Sequence, residues 1–220
     1  MPRTPPIKAV LFDLDGTLLN TLESLAGCFN RVLEAEGYPT HPVSAYRQFI
    51  GDGARKCVER CLPAPERTPE VITRILDRQQ ADYAKSWQQD VSLYPGMQSL
   101  LTSLRERGVP MAVLSNKDHQ FVVDCVGYFF PAGTFSVVQG FDHDIPHKPD
   151  PAGARQLTRL LGEAPEHCTL IGDTAVDVQT AKNAGLTSIG VLWGFRDEQE
   201  LASAGADYIV HKPEQLLDIL

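Results

Sequence analysis

The sequence predicts an α/β protein whose core is a doubly wound parallel sheet carrying an inserted all-helical subdomain. Three observations predict it. Short, near-continuous apolar runs recur along the chain, as in strands buried on both faces of a parallel sheet. Helix-length stretches with readable ends separate these runs. One block, residues 18–93, carries helical periodicity without a strand and interrupts the alternation straight after the first run.

Within Ile7 to Leu14, the run Ala9-Val10-Leu11-Phe12 ends at Asp13 and forms the first predicted strand. The helical block follows. Leu22, Leu25, Phe29, Val32 and Leu33 mark one helix in it, and Val71, Ile72, Ile75 and Leu76 mark another. It is too long for an ordinary strand-to-helix connection, so it reads as an insertion entered near Thr21 and left near Tyr94-Pro95. The core is then residues 1–17 with 94–220. Pro95 opens a helix through Leu100, Leu101 and Leu104 that stops at Gly108. Further strands are expected over Met111 to Leu114, Phe135 to Val138, Thr169 to Ile171, Ser188 to Leu192 and Tyr208 to Val210. Helices from Pro151 to Gly162 and from Asp173 or Thr174 to Gly185 fill two of the gaps between them.

The 220 residues are 43% hydrophobic and 22% charged, which excludes a disordered chain and allows a substantial core. A formal net charge of -8 argues against a nucleic-acid binder and against adhesion to anionic lipid. An anionic substrate must therefore meet local positive charge or a metal. Cys28, Cys57, Cys61, Cys125 and Cys168 are odd in number and scattered, which suits reduced thiols in a cytoplasm. Cys57 and Cys61 stand four apart and read as buried thiols on a helix, since no matching pair completes a zinc site. The opening Met1-Pro2-Arg3-Thr4-Pro5-Pro6 lacks a signal-peptide apolar region, and no run is long enough to span a membrane. Oligomeric state is not legible.

Chemistry in an open α/β sheet sits beyond the carboxyl ends of the strands. Here those ends read Asp13-Leu14-Asp15-Gly16-Thr17, then Ser115-Asn116-Lys117, then Gly172-Asp173-Thr174 with Asp177 four residues on, and one loop carries His147-Lys148-Pro149-Asp150. Converging carboxylates repel and need compensation. A hard divalent cation with oxygen ligands supplies it, and Mg²⁺ keeps waters that a substrate phosphate can replace. Asp13 and Asp15 lie on one side of the extending strand, so one can attack phosphorus while the other manages protons. Ser115, Asn116 and exposed backbone N–H groups can hold phosphoryl oxygens, and Lys148 can neutralise charge. Singly, each piece has a plainer reading: a turn at Asp15-Gly16, an N-cap at Asp173, a solvated Asp177. Their joint order at successive strand ends is what carries weight.

Asp13-x-Asp15-Gly16-Thr17-Leu18, Ser115-Asn116, Lys148-Pro149 and Gly172-Asp173-x3-Asp177 resemble the four signature motifs of the haloacid dehalogenase superfamily, over residues 7 to about 195. The insertion resembles the helical cap of its phosphoglycolate phosphatase-like and β-phosphoglucomutase-like branch on a Rossmann-like core. The resemblance implies a Mg²⁺-dependent phosphatase acting on small phosphorylated metabolites. Asp13 is then the nucleophile and Asp15 the general acid/base. Asp13, the backbone carbonyl of Asp15, and Asp173 ligate Mg²⁺, with Asp177 supporting. Thr17, Ser115, Asn116 and Lys148 bind the phosphoryl group.

Gly51-Asp52-Gly53-Ala54 resembles a glycine-containing cap loop of phosphoglycolate phosphatases, and Trp193-Gly194-Phe195-Arg196 a segment they carry after a late strand. Gly51, Arg55 and Lys56 are thereby candidates for contact with substrate, the two cations with a carboxylate; solvated helix charges would look the same. Asn20 stands where the branch often carries aspartate. A sugar phosphomutase would use the same aspartates, but Thr17 leans towards the hydrolase. A non-catalytic phospho-accepting protein is the other alternative, and the long insertion after the first strand argues against it. His143 and His147 read as solvated loop residues, His119 as a surface helix position, and Trp87 as core. The acidic balance lies mainly outside the insertion, which holds 9 basic and 10 acidic residues.

Overall fold

The computed structural model describes residues 6–220, and the stretch Met1–Pro5 of the amino-terminal expectation lies outside them. Six strands form one parallel sheet: β1 (Ala9–Phe12), β4 (Met111–Asp118), β5 (Val137–Phe141), β6 (Cys168–Gly172), β7 (Thr187–Val191) and β8 (Tyr208–Val210), in the spatial order β5-β4-β1-β6-β7-β8. The central strand β1 is buried at every position, because both faces of the sheet are covered. Its side chains alternate between two cores. Val10 and Phe12 join a cluster with Met111, Val113 and Ile171, while Ala9 and Leu11 join one with Ala112, Leu114 and Leu170. This two-sided burial is why the strands read as continuous apolar runs.

Helices α5 (Met97–Glu106), α6 (His119–Phe129), α7 (Ala152–Leu161), α8 (Ala175–Ala184) and α9 (Glu198–Ala204) flank the sheet. The stops expected at Gly162 and Gly185 are left-handed C-caps of α7 and α8. Two strand expectations shift by more than one residue. β5 starts at Val137 rather than Phe135, whose side chain packs edge-on against Phe12 and Phe130. β4 runs to Asp118, because its polar end Ser115-Asn116-Lys117 continues the extended backbone.

Between β1 and α5 lie α1 (Leu22–Ala35), α2 (Val43–Phe49), α3 (Ala54–Cys61) and α4 (Pro69–Ser86). They enclose their own core of Phe29, Leu33, Tyr46, Val58 and Ile75, joined by Phe195 from beyond β7. The expectation of no strand between Leu18 and Leu93 is corrected: β2 (Leu19–Asn20) and β3 (Ser92–Leu93) form an antiparallel ribbon where the chain enters and leaves the helical block. Two-residue strands give no alternation to read. Trp87 packs against both the sheet core and the helical core. Among the described residues, no helix is long and apolar enough to cross a membrane.

Candidate active site

β4, β1 and β6 are neighbours, so the residues at their carboxyl ends meet at one edge of the sheet. Asp13 follows β1, Asp173 follows β6, and Asp177 stands in the first turn of α8. Each offers a carboxylate oxygen within 4.8 Å of the others, and all three are buried. Burial pushes the Asp13 carboxyl up to about 7, against the pull of Lys148, and the neighbouring Asp177 adds to the rise. Burial, then Asp177 and Asp13, hold Asp173 well above the usual carboxylate range. Asp13 Oδ1 is buried without an aligned hydrogen-bond donor, although Lys148 Nζ stands 2.9 Å away in ion-pair range. An all-oxygen set with uncompensated negative charge fits a divalent cation.

Lys148 lies between Asp13 and Asp177, with Nζ 2.6 Å from Asp177 Oδ1. Burial opposes its charge, and the two carboxylates outweigh burial and keep it protonated. Asp177 is engaged on both sides: Oδ2 accepts from the Thr174 backbone N–H at 3.2 Å and from its hydroxyl at 2.7 Å. Both its oxygens are thus engaged within the protein.

Several sequence candidates are turned away from the cavity that opens between the sheet edge and the helical block. Thr17 is fully buried and donates to Asp173 Oδ1 at 3.3 Å, so its hydroxyl orients a carboxylate instead of facing a substrate. The Asn116 side chain is saturated: Nδ2 donates to the carbonyls of Gly51 and Lys148, and Oδ1 accepts from the Lys148 N–H at 2.7 Å. It ties the Lys148 loop to the helical block, and only its place on the cavity wall agrees with the expectation. Arg55 and Lys56 are also corrected. Helix α3 turns Ala54 and Cys57 to the cavity, leaving Arg55 against Thr73 and Lys56 paired with Glu59 on the outer face. Asp13, Asp15, Gly51 and Ser115 do line the cavity.

Asp15 directs its carboxylate away from the other three. Both its oxygens accept from Lys117 Nζ, at 2.9 and 3.1 Å, and that ammonium also stands 4.7 Å from the centre of the Tyr83 ring on α4. Burial works against the Lys117 charge, and Asp15 overcomes it. Lys117 was visible at a strand end but carried no assigned role. Tyr83 had only helical spacing to offer, and nothing in that spacing marks it.

The Trp193-Gly194-Phe195-Arg196 segment acquires definite contacts. Phe195 N–H donates to Asp173 Oδ2 at 2.7 Å, and Trp193 Nε1 donates to the Thr17 carbonyl at 2.9 Å. A side chain at Gly194 would collide with Asp173 and with the Gly16 carbonyl. Two arginines cross between sheet and helical block in opposite directions. Arg196 donates to the Ile50 carbonyl and Arg47 to the Gly194 carbonyl, each at 2.8 Å. Asn20 accepts from the Leu22 N–H at 3.4 Å, beside the start of α1. His147 is corrected from solvated to half-buried: it stacks on Phe141 at 3.7 Å, and burial lowers its basicity. His119 accepts the Gly140 N–H at Nδ1, tying α6 to β5.

Residues 10–191 match the family described as haloacid dehalogenase-like hydrolase. A phosphoglycolate phosphatase of Vibrio cholerae is 31% identical over 219 residues, covering 97% of both chains. One from Rhodobacter capsulatus is 34% identical over 191 residues, covering 86% of this chain and 85% of its own. Among solved structures, a predicted phosphoglycolate phosphatase from Haemophilus somnus superposes with a TM-score of 0.88 at 26% identity, covering 97% of each chain. A mutant of CbbY from Rhodobacter sphaeroides, in complex with xylulose 1,5-bisphosphate, gives 0.80 at 25% identity over 96% of each. The chain belongs to the haloacid dehalogenase-like hydrolases, on the branch of the phosphoglycolate phosphatases, and is a hydrolase of phosphoric monoesters.

Proposed function

We propose that the protein is a Mg²⁺-dependent phosphatase of small phosphorylated metabolites, working through an aspartyl-phosphate on Asp13. The observation that carries this reading is Asp13 itself: it lines the cavity, with one buried oxygen lacking an aligned donor and a lysine alongside. In the first step an Asp13 oxygen forms a bond to phosphorus as the bond to the leaving alcohol breaks, and Asp15 gives that alcohol its proton. In the second, Asp15 takes a proton from water, whose oxygen bonds to phosphorus while the bond to Asp13 breaks and inorganic phosphate leaves. Lys148 neutralises charge on Asp13 and the phosphoryl group, and Ser115 stands at the end of β4 to receive a phosphoryl oxygen. Asp13, Asp173 and the backbone carbonyl of Asp15 would hold Mg²⁺, with Asp177 in support, and the ion would supply positive charge for the phosphoryl group.

Residues 18–93 act in this reading as a cap that excludes water from the cavity. Phosphoglycolate is the substrate to test first, because the relatives carry that name over nearly their whole length. A cytoplasmic location fits five free cysteines. The test is a Mg²⁺-dependent assay on p-nitrophenyl phosphate and a panel of phosphorylated metabolites. Wild type is expected to turn over and Asp13→Asn to lose turnover while keeping its circular dichroism and melting behaviour. Substantial Mg²⁺-dependent activity in Asp13→Asn would sink the assignment.

A further inference from the structure

The wall of the cavity beyond Asp13 and Asp15 is mostly apolar, with Leu25, Phe29, Ile50, Cys57, Phe121 and Phe195 on it. Its neutral polar groups include Gln79 and Gln80. Only one Lys, Arg or His faces this space among the described residues, and it is Lys117. The other nearby lysine, Lys148, is enclosed between Asp13 and Asp177 and is not part of the wall. A leaving group with a negative charge therefore has one cation to meet.

Lys117 is built for such a meeting. An ammonium has three N–H donors, and Asp15 takes at most two of them. Among the described residues the ammonium makes no hydrogen bond to another carboxylate or carbonyl, and its remaining neighbour is the Tyr83 side chain. The side chain is 7% exposed, so bulk water does not readily satisfy the remaining donor. Tyr83 lies against the ammonium from the helical block, and its hydroxyl is buried with no hydrogen-bond partner among the described residues. A cation with donor capacity to spare and an unpartnered hydroxyl thus adjoin Asp15, the group that protonates the departing oxygen. Unsatisfied buried donors are costly, and a ligand that accepts from both relieves the cost.

We propose that Lys117, assisted by the Tyr83 hydroxyl, is the specificity residue that receives a carboxylate on the leaving alcohol, and that it thereby selects phosphate esters of short hydroxy acids. The proposal rests on the phosphatase reading above. A short acid suits the geometry, since its carboxylate lies only a carbon or two from the oxygen beside Asp15. Anionic groups placed farther out would meet the apolar wall and lose hydration without compensation.

The experiment compares kcat/KM for 2-phosphoglycolate with that for its neutral amide, a substrate of the same shape. Wild type is expected to favour the acid at least about tenfold, the scale of a hydrogen-bonded charge pair. Lys117→Met is expected to bring the ratio close to one, Lys117→Arg to preserve most of it, and Tyr83→Phe to lower it by a smaller factor. The ratio is the readout, because Lys117 also holds Asp15 and its loss lowers turnover of both esters. An equal fall for both esters in Lys117→Met would make Lys117 a positioning residue for Asp15 alone and overturn the proposal. So would a wild-type ratio near one. Should Lys117→Met fail to fold, Lys117→Gln takes its place, and an equal fall for both esters in that variant would overturn the proposal equally. Failure of wild type on every phosphate ester is a different result and would count against the phosphatase reading itself.

Discussion

The ammonium of Lys148 sits 2.6 Å from Asp177 Oδ1, with the two side chains 3% and 2% exposed. This buried pair anchors the charge balance of the site, since the same ammonium is 2.9 Å from Asp13. Removing one partner of such a pair leaves an uncompensated buried charge, at a cost of about 3–5 kcal/mol. Lys148→Met is expected to melt about 6–20 °C below wild type in EDTA, at 2–4 °C per kcal/mol for a chain of this size. Mg²⁺ is expected to recover part of the loss, because a cation replaces the missing charge. Scanning calorimetry with and without Mg²⁺ checks this; equal melting of variant and wild type in EDTA would show that the pair does not carry the balance.

Gly194 offers a second handle on the same cluster. A methyl group there collides with Asp173 and with the backbone carbonyl of Gly16, and neither has room to yield cheaply. Wild type is expected to gain roughly 5–10 °C in melting temperature at a Mg²⁺ concentration 100 times its dissociation constant. In Gly194→Ala that gain is expected to vanish together with activity, because Asp173 is displaced. A normal Mg²⁺ shift in the variant would mean that the cluster tolerates the movement.

The thiols provide a third prediction. All five cysteines are free and buried. Burial, and then the Asp82 carboxylate, push Cys28 up to about 12. Burial likewise raises Cys125 to about 11, with Lys117 pulling the other way, and Cys168 to about 11, with Glu163 adding to the rise. Cys57 is also raised well above the ordinary thiol value, by burial and by Cys61, whose sulfur is 4.0 Å away. A raised value keeps each group as the unreactive thiol through neutral pH. Ellman's reagent at pH 7.5 is expected to titrate none of the five rapidly in the native protein and all five in denaturant. One fast native thiol would reveal local opening of the core that contains it.

The sheet was legible because its strands are buried on both faces. Ala9-Val10-Leu11-Phe12 and Thr169-Leu170-Ile171 need no alternation to be recognised, and a carboxylate stands directly after the first and one glycine beyond the second. The ends α7 at Gly162 and α8 at Gly185 were legible for the same reason, a backbone requirement stated by one residue. Helix α2 was not, and α3 showed only through the spacing of Cys57 and Cys61, without bounds. α2 buries only Tyr46 along its length, and α3 buries Cys57, Val58 and Cys61 among charged neighbours, so neither presents a long apolar stripe.

The sequence by itself determined the doubly wound sheet, the helical block within it and the aspartates at the strand ends, because burial and strand termination are local in the chain. Tertiary structure alone decided which polar side chains face the cavity. Thr17 turns to Asp173 across 156 positions, Asn116 to Lys148 across 32, and Lys117 to Asp15 across 102. A side chain at a strand end takes the direction of its best hydrogen-bond or charge partner, and those partners arrive from distant segments. That is why Thr17, Asn116, Arg55 and Lys56, all plausible binders by residue type, are spent on structure or left on the outer face. Lys117, visible at a strand end but given no role, and Tyr83, unmarked in the sequence, bring an ammonium and an unpartnered hydroxyl beside Asp15.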